Sequence, residues 1–102
     1  MTASNDVPKR DAIMAARVTI PHTVVYRSLT NETVVLNLDT GLYHGLNPTA
    51  GRMLDALGKE GSVERAASVL ANDYQRPLAE VQGDLSKLCQ ALLQRGLIEL
   101  KP

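Results

Sequence analysis

Few side chains in this sequence are suited to making or breaking bonds. The histidines are His22 and His44, and the single thiol is Cys89. A catalytic centre needs a nucleophile beside a base and a group that stabilises developing charge. Cys89 falls inside an apolar stripe at helical spacing, where a thiol behaves as a small inert hydrophobe. His44 lies on a strand pattern with no second or third ligand at metal-binding spacing. No phosphate-binding loop, dinucleotide fingerprint or paired-carboxylate pattern is present. The chemistry on offer is recognition, and no enzyme activity, metal or cofactor is expected.

Recognition of that kind would rest on backbone groups, and residues 34–49 are where the sequence displays them. Val34, Leu36 and Leu38 alternate, then Leu42, His44 and Leu46 alternate, so each segment reads as a strand with one largely apolar face. Asp39-Thr40-Gly41 between them supplies the positive-φ glycine of a short bulged hairpin loop. Asn47 and Pro48 then open a helix, as N-cap and first helical residue.

Composition narrows the partners. A chain of 102 residues has room for one domain. It is 44% hydrophobic but only 3% aromatic, so the core must be aliphatic. Eleven basic and eleven acidic side chains cancel, which argues against affinity built on phosphate neutralisation and so against nucleic acid. A lone cysteine forms no internal disulfide and fits a reducing compartment. No membrane-spanning run or signal-peptide segment is evident. The expectation is a cytoplasmic protein with no membrane partner.

Along the chain, residues 1–17 mix polar residues with a short apolar patch and carry poor helix signals, which predicts a flexible tail. Residues 18–20 precede Pro21, as at a strand end or edge. Residues 24–29 are β-branched and aromatic, and a turn at residues 30–32 leads into the hairpin. A first helix is predicted over residues 48–57, with Gly58 as its left-handed terminator. Ser62 caps a second helix with Val63, Ala66, Ala67, Leu70 and Tyr74 inward. Pro77 opens the longest helix, whose stripe comprises Leu78, Val81, Leu85, Leu88, Cys89, Leu92 and Leu93. Gly96 and Leu97 end it as a Schellman turn, and residues 98–100 add a last short strand. The class is α+β and winged helix-turn-helix-like, a small antiparallel three-stranded meander followed by three helices. A meander leaves an open strand edge, on which a peptide can add as a further strand. The residues alone leave open whether a peptide, the tail or a second copy covers that edge.

The run from Val35 through Leu36-Asn37-Leu38-Asp39-Thr40-Gly41-Leu42-Tyr43-His44-Gly45-Leu46-Asn47-Pro48-Thr49 to Ala50 resembles the signature of the PqqD-like proteins. These are leader-peptide recognition elements for ribosomally made, modified peptides. Ser62-Val63-Glu64 and Leu92-Leu93-Gln94-Arg95-Gly96-Leu97-Ile98 extend the resemblance, which spans residues 24–100. The stand-alone size and the Thr-Gly-x-Tyr-His and Leu-Asn-Pro-Thr wording look most like the lasso-peptide type. The resemblance implies a non-catalytic domain over residues 18–102. Its partners would be a precursor leader, a leader peptidase and an ATP-dependent macrocyclase. The leader would add to the third strand, in the groove between that strand and the third helix. Carried onto this chain, the docking strand is Leu42, Tyr43, His44, Gly45 and Leu46. The opposing helix face comes from Val81, Asp84, Leu85 and Leu88. A homodimer through the same edge would compete with the leader. The sequence departs from the wider family in having no Phe or Trp, which bears on pocket shape.

A winged-helix DNA-binding regulator is the alternative suggested by helix order. Against it, the longest helix carries Lys87 as its only base beside Glu80 and Asp84, where a major-groove helix would bring Arg or Lys.

Overall fold

The computed structural model describes residues 9–102. The chain runs α1 (Arg10–Met14), β1 (Arg17–Thr19), β2 (Val24–Ser28), β3 (Thr33–Asn37), β4 (Leu42–Leu46), α2 (Pro48–Glu60), α3 (Val63–Tyr74), α4 (Leu78–Gln94) and β5 (Glu99–Lys101). The meander is an antiparallel sheet in the order β2-β3-β4, and β1 pairs with β5 in a second, two-stranded sheet. The α+β class with its three-stranded meander and three long helices is thus the observed one. The predicted last strand is β5, which returns to β1, with Val18 opposite Leu100. No described helix is long and apolar enough to cross a membrane.

The hairpin is held by its own polar side chains. The Asn37 carboxamide oxygen accepts from the Asp39 N–H at 2.9 Å, and Thr40 Oγ1 accepts from the Leu42 N–H at 3.2 Å. Gly41 takes φ 74°, the left-handed geometry that closes the loop. The Asn37–Leu42 pairing makes the loop residues 38–41, one residue longer than predicted.

Helix ends follow local chemistry. Asn47 accepts from the Ala50 N–H at 2.8 Å, and Ser62 accepts from the Arg65 N–H at 3.2 Å. At the end of α4, the Leu97 N–H reaches the Leu92 carbonyl and the Gly96 N–H reaches that of Leu93, the predicted Schellman pair. One boundary differs. Gly58 does not end α2, which continues to Glu60 and terminates at Gly61, φ 68°. Gly58 is a packing residue instead, since a Cβ there would lie 2.8 Å from Ile20 Cδ1.

The core is one aliphatic cluster shared by all layers, in which Leu54, Leu57, Val63, Leu85, Leu92 and Leu97 are fully buried. Two predicted stripe members lie at its margin: Leu78 is 44% exposed, and Tyr74 is 39% exposed with Arg52 over its ring. The sheet presents Thr33, Val35 and Asn37 of β3 to the helices. The alternating set Val34, Leu36 and Leu38 occupies the other face. That reverses the face expected from apolarity alone, and the reason is the helix against it. A Cβ on Gly51 of α2 would collide with the Thr33 side chain, so helix and strand meet there with no room for a larger residue.

Residues 10–16 also depart from the predicted tail. Residues 10–14 form α1, which lies along α4 and buries Ile13 completely. Arg10 donates to the Ala79 carbonyl at 3.1 Å. Weak helix signals were outweighed by one branched aliphatic side chain with a hole to fill. The expectation for residues 1–8 lies outside the described residues.

Two measurements follow from this packing. Ile13→Ala should destabilise the fold by about 2–4 kcal/mol in chemical denaturation, the ordinary cost of a core cavity; a tail residue would give almost nothing. Burial also pushes the Cys89 thiol from 9.0 up to about 12. The unfolded chain therefore releases this proton first, so stability is intact below about pH 9 and falls as pH rises towards about 12. The urea midpoint should drop between about pH 8 and about pH 10.5, and drop less in Cys89→Ala.

Candidate functional site

β4 stands at one side of the sheet, and its outer edge has no strand partner among the described residues. The other outer strand, β2, carries Arg27 and follows Pro21. The five residues of β4 include no proline and no Asp, Glu, Lys or Arg, the devices that ordinarily blunt an edge. Along β4, Leu42, His44 and Leu46 share the inner face with Asn37, Val35 and Thr33, their partners across the ladder. Leu46 is buried, His44 half-buried and Leu42 58% exposed, so the row rises out of the core towards the hairpin.

Tyr43 and Gly45 take the outer face, opposite Leu36 and Val34. Tyr43 is 70% exposed. Gly45 is not bare. A Cβ on it would lie 3.1 Å from Glu32 Oε1, so a carboxylate rests beside the strand.

The helix residues separate into two groups. Val81 and Leu85 are 1% and 0% exposed and belong to the core, so neither is free to line an open groove. Leu88 is half-buried and Asp84 exposed. α2 packs against β3 and β4.

Asp84 is already engaged. Arg76 Nη2 donates to Asp84 at 3.1 Å and to Glu80 at 3.2 Å, bridging two turns of α4. The hydrogen bonds to Glu80 and then Asp84 raise the Arg76 pKa above its usual value. The sequence reading does not single out Arg76, Glu32 or Arg10. The four-residue steps from Arg76 to Glu80 to Asp84 were a readable signal for the first of them. Glu32 and Arg10 arrive through tertiary contacts that no spacing announces. The described residues form no group of three His, Cys, Asp or Glu side chains able to hold a metal.

No curated protein matches this chain. Among solved structures, TbiB1 in complex with the TbiA(beta) leader peptide superposes with a TM-score of 0.72 and 28% identity, over 79% of this chain and 94% of its own. Lasso peptide synthetase B1 complexed with the leader peptide gives a TM-score of 0.70 at 21% identity, over 82% of this chain and 99% of its own, a likeness of fold. The family described as coenzyme PQQ synthesis protein D (PqqD) matches residues 32–98. That match takes in β3, the β4 edge and the three helices that support them, so the chain belongs to the PqqD family.

Proposed function

We propose that this protein is a non-catalytic recognition element for a ribosomally made, modified precursor peptide of the lasso type. The precursor's leader adds to β4 as a fourth antiparallel strand and lies along α4. The protein then presents the precursor to a leader peptidase and an ATP-dependent macrocyclase. The observation that carries this reading is the unblunted edge of β4, unpaired among the described residues, in a PqqD-family chain. The 28% identical TbiB1, solved with a leader peptide, supports it.

In such a complex the β4 backbone groups give affinity and alternate leader side chains give specificity. Inward-facing leader residues meet Leu42, His44 and Leu88, while Leu46, Val81 and Leu85 stay in the core behind them. Asp84 and Arg76 make a charged corner that a leader residue of either sign can enter by displacing one ion pair with another, an exchange with little net energy at an exposed site. Cys89 has no part in the chemistry, since its buried thiol stays protonated. On α4, Glu80 and Asp84 outnumber Lys87, which disfavours the DNA-binding alternative.

Hydrogen exchange tests the docking strand. The leader half of the precursor should slow exchange of amides within residues 42–46, and the core half should not. Unchanged exchange at a saturating leader concentration would remove β4 as the site. With Glu80 counted, Asp84→Arg turns the charged corner from net negative to net positive. It should weaken a leader with a basic residue at that point by up to about tenfold and strengthen one with an acidic residue. The melting temperature should be almost unchanged. Calorimetry on both leader variants reads the difference.

A further inference from the structure

The outward face of the meander is apolar where an antiparallel sheet ordinarily turns polar side chains to water. Two cross-strand rows compose it. One is Val25–Leu36–Tyr43 and the next is Arg27–Val34–Gly45. Val25 is 50% exposed and Tyr43 70%, while Leu36 and Val34 between them are half-buried. The charges on this face sit at opposite ends of one row. Arg27 lies on β2 and makes no ion pair among the described residues, whereas the Glu32 carboxylate rests over Gly45 on β4.

We propose that this face binds a second copy of the chain, sheet against sheet, about a two-fold axis running along β3. Such an axis lays β2 of one copy over β4 of the other. Arg27 then meets Glu32 of the second copy, with the space left by Gly45 admitting the guanidinium, and this ion pair forms twice. Val25 covers Tyr43, and Leu36 meets its own counterpart on the axis. The pattern of charge is self-complementary, as a two-fold interface requires. A foreign partner would have to supply both signs in the same register. Aligned sheets packed about 10 Å apart are an ordinary sandwich geometry. The face is small beside a standard interface, so the dimer is weak, with a dissociation constant on the order of tens of micromolar. It leaves the β4 edge free, so dimer and leader-bound states are compatible, and the inference stands independently of leader binding.

Sedimentation velocity across a concentration series tests it. The wild-type chain should pass from monomer to dimer. Arg27→Glu should raise the dissociation constant about tenfold by placing like charges together. The double exchange Arg27→Glu with Glu32→Arg should restore it, a rescue that a folding defect would not give. Leu36→Asp, with its circular dichroism unchanged, should be monomeric. Addition of the precursor leader should leave the dimer intact. A chain that stays monomeric up to about 1 mM would overturn the proposal. So would a dimer indifferent to both Arg27→Glu and Leu36→Asp, or one that the leader dissociates, which marks pairing through the β4 edge instead.

Discussion

The approach of α2 to β3 is the contact on which the arrangement depends. Gly51 lies against Thr33 with no room for a methyl group, so helix and sheet meet at backbone distance. That closeness needs a short residue on β3, and it sets which face of the sheet is inside. With Thr33, Val35 and Asn37 turned inward, Val34 and Leu36 must point out, because strand side chains alternate. The same register fixes Leu46, His44 and Leu42 as an inner row on β4 and Tyr43 and Gly45 as an outer one.

From this follows a division of labour within a small sheet. Its inner face is sealed by the aliphatic cluster that α2, α3 and α4 share. Its β4 edge displays hydrogen-bonding groups with nothing to discourage a further strand, and its outer face keeps apolar surface in reach of another sheet. A rigid edge is useful for recognition because the ordering cost falls on the incoming peptide alone. The supports of that rigidity are local: the Asn37 and Thr40 hydrogen bonds brace the hairpin, and the Asn47 cap starts α2 directly after β4. The edge is therefore anchored at both ends by side-chain hydrogen bonds to backbone N–H groups.

At the far side of the molecule, β1 joins the ends of the described chain to its middle. It pairs with β5 and exchanges backbone hydrogen bonds with the α2–α3 turn, Val18 to Gly61 and Val63 to Ala16. α1 adds Ile13 and the Arg10 bond to α4. A segment of unpromising composition becomes part of the domain in this way, since a buried aliphatic side chain outweighs weak helix propensity over five residues.

The sequence by itself determined the features that depend on neighbours in the chain. The caps at Asn47 and Ser62, the left-handed glycines Gly41 and Gly96, and the helical stripe through Val81, Leu85, Cys89 and Leu92 are all local chemistry. So is the presence of a hairpin at residues 34–46, because a turn and its flanking alternation lie within a few residues of each other. Tertiary structure alone decided what depends on distant neighbours. It chose Gly61 over Gly58 as the end of α2, since Ile20 needed the space beside Gly58. It turned Val34 and Leu36 outward against the hydrophobic pattern, since α2 could approach only over Thr33. Alternation tells that a strand has two unlike faces, but which face is covered is settled by the shape of the element that arrives to cover it.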